Sequence, residues 1–321
     1  MKKYTAKTMR IKFFLSCLLV MVLCFLFFAC SDMIEHYTSK DLGPCLPHTP
    51  CDGSLAVDSL DPLDACKAIG LCENEVISAR WVLPDGSAPP ETNFHIGHAL
   101  VSAFGANVRP QEGVQCLLLS TGNALQAGQP GYTPNLGFDK SYTHLLPPDF
   151  PAQSTSCPVQ GFGEAHDGIA LEAVLKVPRH AKGFLFDFKF YTAEYPDYTC
   201  SIFPDHFIVL VSPVLQGSID SNICYSPDGP ICVNSCFISV CTDCFDGNEE
   251  LVGTGFESRG ATPWMETIAP LNGDSQITVQ FTIWDNSDGV YDSVVLIDNW
   301  RWTTFNMEQP VTYGKNGCPC N

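Results

Sequence analysis

The residues best placed to do chemistry are carboxylates late in the chain. Asp285, Asp288 and Asp292 surround Gly289 in the turn Asp285-Asn286-Ser287-Asp288-Gly289-Val290-Tyr291-Asp292, which holds no basic residue. Glu194 and Asp205 flank a second turn, and Asp298 interrupts the apolar run 294–302. Oxygen-rich loops of this kind suit calcium, which takes roughly six to eight oxygen ligands. The spacing is not that of an EF-hand loop, and the same residue types also form Asx-turns with their own backbone. Both readings stay open. If the two turns meet at one edge, Glu194, Asp205, Asp285, Asp288, Asp292 and Asp298 form the expected ligand set, with calcium as the ion. An Asp within an apolar strand must be hydrogen-bonded or metal-bound once buried, which singles out Asp298.

Other constellations carry less. His95-Ile96-Gly97-His98 has the spacing of two ligands, but no Glu completes a metalloprotease motif. Ser120-Thr121-Gly122 follows an apolar run without an identifiable base. A nucleophile elbow, a Walker loop and a dinucleotide fingerprint are all missing from the sequence. Of the 17 Cys, Cys17 and Cys24 fall in an N-terminal apolar segment and Cys30 at its end. The other fourteen predict up to seven disulfides in an oxidising compartment. Cys45 and Cys51 are expected to form a local bridge. Cys241-Thr242-Asp243-Cys244, with Cys232 and Cys236, is also compatible with zinc or redox spacing.

The elements that must position these groups are strands. Residues 76–83, 113–120, 169–177, 183–191 and 206–212 read as strands, as do the two runs either side of the acidic turn, which read as an antiparallel pair. Phe184, Phe186, Phe188 and Phe190 share one face, opposite Asp187 and Lys189. Four Phe on one face require a second sheet to cover them, and their burial at ~25 cal/mol per Å² contributes several kcal/mol. Residues 61–74 predict one short helix capped by Asp61 with Pro62 at its first position. The stretch 126–163 reads as a surface excursion. The fold class is all-β, a two-sheet jelly-roll-like sandwich with a short N-terminal helix and a disulfide-rich insertion.

Composition sets the address. The chain has 321 residues, with 35 acidic against 17 basic side chains and a net charge of −18. Such a chain disfavours nucleic acid and anionic membranes as partners. Residues 1–30 form a targeting segment in which Lys2, Lys3, Lys7, Arg10 and Lys12 precede a long apolar run. Its end, Phe27-Phe28-Ala29-Cys30-Ser31, resembles a bacterial lipobox. That resemblance implies cleavage before Cys30 and lipidation of Cys30, and Ser31 fits sorting to an outer membrane. An uncleaved anchor and an ordinary signal peptide are the alternatives. Residues 31–60 read as a Cys/Pro-containing tether, 61–305 as the sandwich domain and 306–321 as a Cys-containing tail.

The segments 104–110, 119–124, 186–196, 205–207, 221–223, 253–256, 260–264 and 283–300 form an ordered set of motifs. Together they resemble the choice-of-anchor L domain of secreted and surface proteins of bacteria. The resemblance implies an extracytoplasmic β-sandwich and supplies no catalytic residues. The expectation is a non-enzymatic cell-surface lipoprotein for adhesion or ligand binding, glycan being one ligand class, with calcium at a loop edge. Trp264, Trp284, Trp300 and Trp302 are candidate sugar platforms if exposed. A secreted hydrolase using paired carboxylates and a structural envelope component are the alternatives.

Overall fold

The structure is a computed structural model that describes residues 45–315, apart from 54, 149, 151–153, 156, 158–163, 272 and 274–275. Cys30 with its targeting segment, the tether up to residue 44, and Cys318 and Cys320 lie outside the described residues. Two seven-stranded antiparallel sheets pack face to face. One runs β1 (Val76–Val82), β5 (Ala165–Lys176), β12 (Gln276–Asn286), β7 (His206–Ser212), β9 (Gly229–Cys232) and β8 (Tyr225–Ser226), with β4 (Thr143–His144) beside β5. The other runs β14 (Val311–Gly314), β11 (Met265–Pro270), β6 (Gly183–Thr192), β13 (Ser293–Thr303), β3 (Cys116–Ser120) and β2 (His98–Val101), with β10 (Gly260–Ala261) beside β6. The all-β sandwich expected from the sequence is therefore present. The short helix α1 (Pro62–Ala68) also forms, and the Asp61 carboxylate accepts from Leu63 N at its start.

The Phe face of β6 makes the centre of the core. Phe184, Phe186, Phe188 and Phe190 are all fully buried against residues of the other sheet, including Phe207 and Phe281. Phe186 meets Phe281 edge-on at 5.3 Å, and Phe188 lies 5.2 Å from Phe207. The opposite face of β6 is buried too. Lys189 donates to Thr262 O and pairs with Glu250, while Asp187 accepts from Asn299 Nδ2 at 2.7 Å and from Lys315. Segments outside the sheet thus cover this face and neutralise its charges.

The two runs around the acidic turn do not pair with each other. β12 lies between β5 and β7 in one sheet, and β13 lies between β6 and β3 in the other. The turn is an arch across the sandwich, not a hairpin. Each run is buried on both faces, as the centre of a sheet requires, so each takes partners from other strands. The chain must then cross the roughly 10 Å between sheets, and Ser287 takes φ 79° as it leaves β12.

The cysteine expectation changes in detail. Cys51 pairs with Cys72, not Cys45, and Cys157 with Cys200. Cys241 pairs with Cys244, while Cys45 and Cys236 are also disulfide-bonded. Cys66, Cys116, Cys224 and Cys232 are buried free thiols. They fill core space as small apolar side chains, and burial pushes Cys66, Cys224 and Cys232 up to about 12. The bridged Cys241–Cys244 pair leaves no zinc set in this insertion among the described residues. No helix among them is long and apolar enough to cross a membrane.

Candidate functional site

The ends of β3, β6 and β12 and the starts of β5, β7 and β13 meet at one end of the sandwich. Because strands alternate direction, carboxylates far apart in sequence are delivered to one place. Glu194 follows β6, Asp205 precedes β7, Asp285 closes β12 and Asp292 precedes β13. All four are buried, with 2% or less of each exposed. Glu194 Oε2 accepts from Asp205 N at 3.0 Å, and Asp205 Oδ2 accepts from Ser293 Oγ at 2.7 Å. Asp285 lies beside Asp205 and Thr121.

The segment 132–142 closes the site from outside. Asp292 N donates to Asn135 O at 3.1 Å. Lys140 N donates to Asp167 Oδ2 at 2.7 Å, and Tyr142 N to Asp167 Oδ1 at 3.3 Å. Lys140 Nζ reaches Ser120 O at 3.1 Å and is itself fully buried. The excursion expected on the surface is therefore a cap. Its Phe150 also covers Trp284 edge-on at 6.1 Å.

Ser120-Thr121-Gly122 frames this cluster and shows no arrangement as a nucleophile. Thr121 Oγ1 accepts from Ser293 N at 2.9 Å. Gly122 makes room for Asp292, since a Cβ there would sit 2.2 Å from Asp292 Oδ2.

Burial dominates the electrostatics. It pushes Glu194, Asp205, Asp285 and Asp292 well above the usual carboxylate range, and mutual repulsion adds to it at Asp205, where Asp285 and Glu194 press in the same direction. Asp167 rises to about 6 through burial, opposed by Lys140. Burial lowers Lys140 to about 8, while Asp167, Asp285 and Asp292 pull it back up. One ammonium thus faces five buried carboxyl groups. Both carboxyl oxygens of Asp285, and both of Asp292, lack a hydrogen-bond partner among the described residues. An unpartnered buried charge costs several kcal/mol, so protons or a cation must neutralise the excess.

Two expected ligands are placed elsewhere. Asp288 sits half-buried in the arch and takes the backbone of Val290, an Asx-turn, although its charge is felt at Glu194. Asp298 lies on the outer face of β13. Its Oδ2 accepts from Gln111 N at 2.5 Å and Glu112 N at 3.0 Å, and its Oδ1 from Asn299 N at 2.6 Å. Backbone donors satisfy it, so it belongs to the Asp187–Lys315 network. Asp167 and Lys140 escaped the sequence reading, because nothing local links residue 140 or 167 to the arch. Among the described residues no group of three His, Cys, Asp or Glu side chains is arranged to hold a metal ion as it stands.

The remaining sequence candidates resolve simply. His95 Nδ1 and His98 Nε2 are 3.0 Å apart, and His98 stacks on Trp81 at 4.1 Å. Trp284, Trp300 and Trp302 are core residues, with Trp300 stacked on Phe184 at 4.5 Å, and Trp264 is half-buried. No broad Trp platform is exposed by these four.

The sequence profile of the choice-of-anchor L domain matches residues 103–301. The matched region contains every residue of the carboxylate cluster. Cys51–Cys72, α1 and β1 precede it. No curated protein and no solved structure matches the chain.

Proposed function

Because the chain belongs to the choice-of-anchor L domain family, we propose that it is a non-enzymatic lipoprotein, lipidated on Cys30, that displays its sandwich at the cell surface for adhesion or ligand binding. Family membership suggests a surface-associated protein. In this reading a calcium ion neutralises the carboxylate cluster and fixes the loops over it. The observation that carries the calcium half is the unpartnered, buried oxygens of Asp285 and Asp292. Calcium suits oxygen donors in a flexible arrangement. In this reading the carboxylates of Asp285 and Asp292 supply ligands beside Asp205, with backbone carbonyls and water completing the shell.

The burial of the cluster supports the non-enzymatic half. Glycoside cleavage asks for two carboxyl groups facing across a groove that admits a sugar. Asp205 and Asp285 are 2% and 1% exposed, which leaves a sugar no access. A glycan ligand would have to use another surface than Trp284, Trp300 and Trp302.

Terbium, a luminescent stand-in for calcium, tests the ion directly. Trp284 adjoins Asp285 in sequence and would sensitise terbium emission. Emission that calcium competes away, and that Asp285→Asn and Asp292→Asn remove, is expected. Emission unchanged in both variants would reject the cluster as the site. Fatty-acid labelling of the cellular protein, lost on Cys30→Ala, tests the anchor separately.

A further inference from the structure

The end of the sandwich opposite the carboxylates carries the reverse charge. β5 leaves that end into the loop that crosses to β6 in the other sheet, Lys176-Val177-Pro178-Arg179-His180-Ala181-Lys182, which holds four basic-type side chains and no acid. This stands out in a chain with 35 acids against 17 bases. Lys176, Arg179, His180 and Lys182 are all exposed. None of the four is in an ion pair among the described residues. Lys176, Arg179 and Lys182 line an open cleft with Asn74, Glu75 and Gly273. The Glu75 carboxylate there is already engaged, by Trp302 Nε1 at 2.8 Å and Cys72 N at 3.2 Å.

The chain enters the fold at the same end. Cys45, the first described residue, bridges to Thr303. Thr303 in turn pairs with Gly183 and accepts from Lys182 N at 2.7 Å. Two strand spacings, about 10 Å, therefore separate the chain entry from the basic loop. Residues 31–44 are all that lie between Cys30 and Cys45. Fully extended they span at most about 50 Å, and as a flexible coil about 20 Å.

We infer that the basic crossover loop is a membrane-docking surface, and that it rests on the phosphate headgroups of the lipid layer that holds the anchor. The inference relies on the lipid on Cys30 proposed above for its geometry. The tether brings this end of the sandwich to the headgroups, and three unpaired cationic side chains hold it there. Acidic surface elsewhere is repelled, so the body stands with its carboxylate end outward. Three such side chains raise occupancy of an anionic surface on the order of a hundredfold, screened beyond about 10 Å at moderate salt.

The test uses the full-length cellular protein, reconstituted into phosphatidylglycerol/phosphatidylcholine vesicles or into phosphatidylcholine alone. A membrane-impermeant amine reagent then labels the lysines, which are read by mass spectrometry. Lys176 and Lys182 are expected to label several-fold more slowly on the anionic vesicles than on phosphatidylcholine alone, reversibly with salt. In the variant K176E/R179E/K182E the melting temperature is expected to match wild type, and cleavage by protease within residues 31–44 on anionic vesicles is expected to be faster than in wild type. Equal labelling of Lys176 and Lys182 on both vesicles would overturn the inference. So would protection conferred by a soluble sulfated polysaccharide but not by anionic vesicles, which would assign the loop to a glycan. If the cellular protein proves to carry no lipid on Cys30 yet still floats with anionic vesicles, and the triple variant does not, the anchor reading fails while the docking surface stands.

Discussion

Lys140 is the single residue on which the carboxylate cluster most depends. It is the one ammonium placed against Asp167, Asp285 and Asp292. Its replacement by Met keeps the volume and removes the charge. Breaking a buried charge arrangement from one side costs about 3–5 kcal/mol. Lys140→Met is therefore expected to lower the urea midpoint at neutral pH, with much of the loss recovered in mild acid as the carboxyl groups take up protons. An equal loss at both pH values would mean that Lys140 acts by packing alone. Gly122→Ala probes the same site by shape, since its Cβ would meet the Asp292 carboxylate. Overpacking of this kind costs about 1–3 kcal/mol, and a melting temperature equal to wild type would show that Asp292 can move aside. At this scale the sequence was partly legible. Glu194, Asp205, Asp285 and Asp292 belong together as expected, since each sits where a strand ends. Asp298 was misplaced because a strand residue's neighbours on the outer face come from loops, here 111–112, whose approach no local pattern encodes.

At the scale of the element, β6 shows what periodicity can and cannot convey. Its Phe face announced a buried interface, and Phe186→Ala is expected to cost about 3–5 kcal/mol in the unfolding free energy. The other face announced charge, which suggested water, yet it is buried under segments outside the sheet that bring Glu250, Thr262 and Lys315 onto it. On that face burial raises Asp187 to about 6 and Glu266 to about 7. Asp167, at the start of β5, rises to about 6. All three folded-state values lie above the ordinary carboxylate range. The folded protein thus holds protons that the unfolded chain releases. That contribution is fully present below about pH 4 and is lost as pH rises through about 6 to 7. Chelator-treated protein is accordingly expected to resist urea better at about pH 5 than at about pH 8. A midpoint that rises with pH over that window would contradict these burials. The arch between β12 and β13 was read as a hairpin for a related reason. Alternation identifies two strands but not their partners, and only burial on both faces assigns each to the centre of a separate sheet.

The whole molecule is electrically polarised along its strands. From Asp167 to Lys176 along β5 is about 30 Å, with the carboxylates at one end and the unpaired bases and chain entry at the other. The fold class was readable because strands, turns and the Phe face all agreed. The polarity was not, because it depends on which strand ends coincide. The most direct measurement is a thermal melt of the oxidised full-length protein in calcium and in chelator, beside the same pair for Asp285→Asn. The proposed calcium site predicts a rise of several degrees in calcium, reversed by chelator and absent in the variant, because an ion that binds the folded state stabilises it. In chelator the variant should melt at or above wild type, having lost one buried, repelled charge. Identical melts of the wild-type protein with and without calcium would contradict a cation at the cluster and leave protons as what neutralises it.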